Sequence, residues 1–185
     1  MSTKEYESAI AEFRQVMTAV TPDQVDAPTP CASFNVAQLI DHTIDTQRMV
    51  VEALQGESFG GSGAEVDPGD QAASYHRAAA DAVAELHRDG ALEKIVTLPF
   101  GTFSGEKLMR LAALDTFQHA WDLAAATGQE TGLDARLADS LMEVAVAHMA
   151  HAPRGDEPAP YGPEQTAPEG APAADRLAAF LGRVI

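Results

Sequence analysis

The chain has 185 residues, a formal charge of −16 and an apolar share of 45%, which fits one domain with a substantial core. Its 28 acidic against 12 basic residues exclude a polyanionic partner, because a phosphate backbone or an anionic membrane would be repelled and no Lys/Arg cluster interrupts the acidic surface. The single cysteine, Cys31, excludes an internal disulfide framework, and with no signal-peptide pattern at Met1–Glu7 and no membrane-length apolar run, a cytoplasmic protein is expected.

Tyr6, Ile10, Phe13, Val16, Met17 and Val20 recur at helical spacing, predicting a first helix from about Thr3 to Val20. Thr21-Pro22 and Ala27-Pro28-Thr29-Pro30-Cys31 end it and form an extended connection. Asn35 followed by Gln38 has the spacing of a capping box, so a second helix is predicted from there to about Leu54, with Gln38, Asp41, Asp45, Arg48 and Glu52 as its solvent stripe. Gly56 to Gly69 reads as a loop, and Asp67-Pro68 as the start of an alanine-rich third helix reaching about Arg88. The segment from Ile95 to Phe103 is too interrupted for a helix and reads as a short hairpin or an extended loop. Helices are predicted next over Ser104–Thr127 and from Leu133 or Asp134 to Ala150. An irregular stretch from Pro153 to Pro172 then precedes a short terminal helix, Ala173–Leu181. Substantial helices with little strand predict an all-α fold, a four-helix bundle with an additional short helix and an irregular C-terminal tail.

The chemistry concentrates in the Ser104–Thr127 helix. Leu108, Leu111, Ala112, Asp115, His119 and Asp122 fall within about a third of its circumference at about 100° per residue. The three polar groups therefore continue an inward apolar stripe. Asp115 and His119 stand at i and i+4, on one face, where they can share a metal ion or form a buried structural pair. Bundle cores commonly house metal sites made from facing helices. A catalytic metal needs a third protein ligand and an open position. Among the other histidines, His76 and His87 read as surface groups and His148 and His151 as caps at a helix end. His42, on the border between the polar and apolar flanks of the second helix, is the leading candidate. Asp122, three residues beyond His119, reads either as an acceptor orienting an imidazole N–H or as a structural group. Trp121 points to the opposite side, toward core. Cys31 reads as a buried structural cysteine rather than a catalytic thiol.

Four segments carry a family resemblance. Thr29-Pro30-Cys31-Ala32-Ser33-Phe34-Asn35-Val36-Ala37-Gln38-Leu39-Ile40-Asp41-His42 is similar to a TPC-x-x-W-x-V-x-x-LL-x-H opening. Leu98-Pro99-Phe100-Gly101-Thr102-Phe103-Ser104-Gly105 resembles an LPFG-x-x-SG turn, and Leu114 to Gly128 a D-x-x-x-H-x-WDLA-x-ATG helix. Tyr161-Gly162-Pro163-Glu164 and Asp175 to Arg183 resemble the tail that follows. In this order the motifs resemble the DinB-like metal-binding proteins related to the N-terminal domain of mycothiol-dependent maleylpyruvate isomerase, in particular an actinobacterial single-domain group. The resemblance implies metal ligands at His42, Asp115 and His119. Two positions depart from the pattern: the isomerase has glutamate at Asp115, and tryptophan is common at Phe34. The sequence also ends where the isomerase continues into a C-terminal domain, so maleylpyruvate isomerisation itself is not expected.

A His/Asp/His set suits zinc, with nickel, manganese or iron as alternatives. Together with the resemblance it implies a mycothiol-dependent S-transferase or isomerase acting on a small-molecule substrate. A metal-dependent hydrolase using activated water, and a non-catalytic metal or ligand binder, are the competing expectations. The protein is expected to be a monomer or homodimer.

Overall fold

The computed structural model describes residues 3–57, 66–67, 69–150, 152, 154–155 and 161–185. Among them the chain forms α1 (Thr3–Thr18), α2 (Val36–Gln55), α3 (Gln71–Leu86), strands β1 (Ile95–Leu98) and β2 (Gly101–Ser104), α4 (Gly105–Thr127), α5 (Ala135–Met149) and α6 (Ala173–Phe180). The all-α architecture is the expected one. α1, α2 and α3 pack with α4 into a four-helix bundle, and α5 and α6 pack against each other and against α4. No helix among the described residues is long and apolar enough to cross a membrane.

α4 is the central element. Ala112 to Leu114 and Thr116 to Ala124 are all buried, so this helix carries no solvated face through its second half and must be covered on every side. α1 covers one side with Tyr6, Ile10, Phe13, Val16 and Met17, the periodic set read from the sequence. Buried polar groups in this layer are matched to one another. The Tyr6 hydroxyl donates to Gln47 Oε1, and Gln47 Nε2 donates to Thr116 Oγ1 at 2.9 Å, tying α1, α2 and α4 together. Trp121 does project away from Asp115, and its Nε1 donates to Asp175 Oδ1 at 2.7 Å, which fixes α6 on α4.

The segment after α3 resolves as a hairpin. Ile95 pairs with Ser104 and Leu98 with Gly101, leaving Pro99 and Phe100 in the turn. The hairpin delivers Ser104 as the cap of α4, its hydroxyl accepting from Lys107 N at 3.2 Å. Two more N–H groups of the first turn are met by the preceding turn, Gly105 donating to Lys94 O and Glu106 to Leu92 O, both at 2.8 Å. These bonds satisfy donors that every helix start leaves open. The approach is so close that a Cβ at Gly105 would lie 2.0 Å from Ala91 O. Gly105→Ala is therefore expected to cost about 3 kcal/mol, the upper end of overpacking, lowering Tm by roughly 10 °C in a chain of this size. Thermal unfolding followed by circular dichroism checks it.

Helix boundaries move by a few residues from those predicted. α3 begins at Gln71 behind Asp70 and ends at Leu86; Pro68, where its start was expected, lies outside the described residues, as does most of the Gly56–Gly69 loop. The expected solvent stripe of α2 is partly covered. Asp41 accepts from Val66 N at 3.2 Å and from Gln71 Nε2 at 2.8 Å, pinning the entry to α3.

Candidate metal centre

The connection into α2 is built to hold its residues still. Thr29 Oγ1 donates to the carbonyls of Cys31 (2.9 Å) and Phe34 (2.8 Å). Val36 N donates to Ala27 O at 3.0 Å. Asn35 Oδ1 accepts from Gln38 N at 2.9 Å, and Gln38 Oε1 accepts from Asn35 N at 3.1 Å, the reciprocal box expected from the spacing. Phe34 is thereby set flat over His42, with ring centroids 4.9 Å apart and planes 22° from parallel. The same phenyl meets His119 edge-on at 6.3 Å.

His42 on α2 and Asp115 and His119 on α4 come together. Asp115 Oδ1 lies 3.5 Å from His42 Nε2 and 3.5 Å from His119 Nε2, and one donor atom from each residue falls within 4.8 Å of the other two. A separation of 3.5 Å exceeds a good N–H···O hydrogen bond. It is close to the roughly 3.3 Å expected between two ligand atoms each about 2.0–2.1 Å from a common tetrahedral centre. The donor set and its spacing thus fit a cation between them. The His42 and Asp115 side chains are 35% and 33% exposed, against 7% for His119, so the group opens to solvent on the α2 side of Asp115.

Behind it stands a chain of buried charge. His119 Nδ1 is 3.0 Å from Asp122 Oδ2. Arg183 grips the same carboxylate with both prongs, Nε to Oδ1 at 2.8 Å and Nη2 to Oδ2 at 2.9 Å. Gln118 Nε2 adds a donor to Oδ1 at 3.3 Å, and Asp122 is fully buried. With Nδ1 directed at Asp122, Nε2 is the nitrogen of His119 that faces Asp115 and His42, an arrangement in which an outer carboxylate orients the imidazole. Asp122 thus contacts the His119 imidazole while Arg183 and Gln118 share its carboxylate.

The electrostatics follow from these contacts. Burial disfavours ionisation of Asp115, but the imidazoles of His119 and His42 overcome it and hold the carboxyl well below the ordinary range. Burial would also strip His119 of its proton, yet Asp115 and then Asp122 outweigh it and push the pKa up to about 9. Asp122, despite its burial, is held low by His119 and Arg183.

Three participants were not read from the sequence. Thr46, one turn beyond His42, donates from Oγ1 to Asp115 Oδ2 at 2.9 Å; the i, i+4 spacing is a signal that could have found it. Arg183 lies 61 residues from Asp122, and only its place in the tail motif hinted at a role. Cys31, expected to be buried and structural, is partly buried and packed against the core, and its Sγ lies within 4.8 Å of donor atoms of both His119 and Asp122. It sits behind the His/Asp/His group because Thr29 folds the connection back onto the start of α2. His76 and His87 are exposed, as expected, and His87 Nε2 pairs with Glu7 Oε1 at 2.9 Å. His148 is in the last turn of α5, as expected, and meets the Tyr161 ring edge-on at 5.8 Å. His151 lies outside the described residues.

A family profile described as the mycothiol maleylpyruvate isomerase N-terminal domain matches residues 6–124. The chain is also similar to two proteins of Mycobacterium tuberculosis, "Uncharacterized protein MT0763" of strain CDC 1551 / Oshkosh and "Uncharacterized protein Rv0738" of strain ATCC 25618 / H37Rv. Each is 33% identical over 177 residues, covering 94% of this chain and 92% of the relative. No solved structure shows a significant match.

Proposed function

Because this chain belongs to the mycothiol maleylpyruvate isomerase N-terminal domain family, a DinB-like family, we propose that it binds a divalent metal, most suitably zinc, through His42, Asp115 and His119 and catalyses a thiol-dependent S-transfer or isomerisation with mycothiol as cosubstrate. The observation that carries the proposal is the convergence of two Nε2 atoms on Asp115 Oδ1, each at 3.5 Å, with the second nitrogen of one imidazole already committed to Asp122.

When bound, such a cation supplies Lewis acidity that lowers the pKa of a coordinated thiol or water. The protein's residues prepare the site for it. Asp122 fixes the tautomer of His119, Arg183 fixes Asp122, and Thr46 holds one oxygen of Asp115 so that the other turns inward. Phe34 covers one face of His42 and keeps water from that side. Burial pushes the Cys31 thiol up, with the nearby Arg183 partly offsetting it; a protonated thiol is a poor nucleophile, which favours a small-molecule thiol entering on the exposed side of His42 and Asp115.

The test pairs metal content with turnover. Purified protein and His42→Ala are analysed for metal and assayed with monochlorobimane, with and without mycothiol. The expected result is stoichiometric metal that the variant loses, and conjugation that requires both metal and mycothiol. Metal-dependent turnover that ignores thiol would replace transfer with hydrolysis, and absence of metal at any loading would overturn the site.

The raised pKa of His119 sets a pH dependence. In the metal-free protein the proton on His119 stabilises the fold fully below the unfolded value near 6.5, and that contribution is lost as pH rises through about 9. A metal must displace this proton, so affinity should rise about tenfold per pH unit up to about 9. Calorimetry at pH 7.5 in buffers of different ionisation enthalpy should read about one proton released per metal bound. Release of none would show that His119 is not a ligand.

A further inference from the structure

Tyr161 stands at the edge of the site, held there by the chain on both sides of it. Arg154 and Tyr161 form an isolated bridge, and Gly155 N donates to Tyr161 O at 3.0 Å. The next residue, Gly162, lies so close to Gly182 that a Cβ at Gly182 would come within 2.8 Å of Gly162 Cα. Arg154 Nη1 closes this junction by donating to the carbonyls of Phe180 (2.6 Å) and Gly162 (3.3 Å). Arg183 follows Gly182 directly and grips Asp122, behind His119. The fold therefore seats Tyr161 beside the turn that carries the guanidinium of the site. On the other side its ring meets His148 of α5 edge-on at 5.8 Å.

From Leu111 to Ala124, the positions of α4 that keep solvent access are Leu111 and Asp115, and these two stand one turn apart on one flank. Leu111 and His148 line the same groove between α4 and α5, so the ring resting on His148 lies along the flank where Asp115 opens. The Tyr161 hydroxyl has no hydrogen-bond partner among the described residues, and it is not sealed from solvent. Asp115 does not take it, since Oδ2 accepts from Thr46 and Oδ1 faces the two imidazoles. Burial, and then the charge of Asp115, push the pKa of the phenol up to about 12. Near neutral pH the group carries its proton and can donate it in a hydrogen bond. A donor held partly out of water gains most from an acceptor that is charged.

We propose that the Tyr161 hydroxyl donates a hydrogen bond to the anionic atom of a ligand held in the opening beside Asp115. In the function proposed above, on which this reading rests, that atom is the sulfur of the small-molecule thiol. A cation draws in an anion by charge alone, and a fixed O–H adds direction to that attraction. A hydrogen bond to the charged form also favours it over the neutral one, so Tyr161 would help keep a bound thiol ionised.

Direct binding tests it. Zinc-loaded parent and Tyr161→Phe are titrated by calorimetry with azide and, separately, with 2-mercaptoethanol. The substitution removes one hydroxyl and leaves the ring on His148, so zinc content and Tm should match the parent. Affinity for both probes is expected to fall about tenfold, the loss of one hydrogen bond to a charged acceptor. Azide should also perturb the tyrosine absorbance of the parent and not that of the variant. Equal affinities in parent and variant would overturn the proposal and leave the metal centre standing. Zinc lost from Tyr161→Phe would make the phenol a metal ligand instead, and would overturn it as well. Azide binding that depends on Tyr161, without binding of 2-mercaptoethanol, would keep the donor and count against thiol chemistry alone. A parent that takes up no zinc would remove the metal centre and this reading with it.

Discussion

Asp115→Asn is expected to weaken metal binding by more than about 100-fold while leaving the fold in place. Asp115 Oδ1 is the atom that both Nε2 nitrogens approach at 3.5 Å, and it is the sole carboxylate of the group. Removing even an outer partner of a metal ligand costs 10–100-fold in affinity, and removing a charged ligand itself should exceed that. The amide is close to the carboxylate in shape, and its oxygen can still accept from Thr46, so packing should hold. The two possible roles of this trio separate here. If Asp115 merely pairs with two imidazoles, Asp115→Asn changes stability and has no metal-dependent consequence. If it is a ligand, the metal-dependent rise in Tm expected for the parent disappears in the variant. Thermal melts with and without added zinc measure both quantities at once.

Arg183→Leu should be the most destabilising change near the site. Asp122 has no solvent exposure, and Arg183 supplies two of its close donors, at 2.8 and 2.9 Å. Breaking a buried ion pair on one side leaves the other charge uncompensated, at a cost of about 3–5 kcal/mol, or a Tm loss on the order of 10 °C for a chain of this length. Arg183→Lys keeps the charge but not the two-pronged geometry and should recover only part of it. The sign of the pH dependence follows from the depressed pKa of Asp122. Its stabilising contribution is complete above the unfolded carboxylate value of about 4 and is lost as pH falls below that toward the folded value. The difference between parent and Arg183→Leu should therefore narrow in acid. A difference that stays constant down to pH 3 would mean that packing of the arginine stem, not its charge, does the stabilising. Metal affinity should fall as well, since His119 would lose the fixed acceptor that sets its tautomer.

Arg183 also marks the limit of what can be read along the chain. The relations that were legible are local. Asn35 and Gln38 announce a cap because the reciprocal bonds span three residues. Asp115, His119 and Asp122 share a face because the helix repeat brings them there, and Trp121 points away for the same reason. The contribution of α2 was harder: helical spacing puts His42 on the border of an apolar flank, which made it the leading candidate among six histidines, and the motif order is what made that choice firm. Arg183 depends on how α6 lies across α4, which Trp121 and Asp175 settle through one bond at 2.7 Å, and on the turn at Gly182, whose φ of +99° is open to glycine and strained for other residues. No periodicity encodes that. The family profile stops at residue 124, so the guanidinium that anchors the site's buried carboxylate comes from beyond the matched region. Cys31 packs against the core as a structural residue, but only partly buried; its place behind the site depends on the way Thr29 ties two carbonyls in a connection that has no repeat to read.

The measurement that bears most directly on the central claim is anomalous diffraction at the zinc edge from crystals equilibrated with zinc. The account predicts one peak per chain, within bonding distance of His42 Nε2, His119 Nε2 and an Asp115 oxygen, with Asp122 still bound to His119 Nδ1. A peak elsewhere, or none between these three side chains, would contradict it.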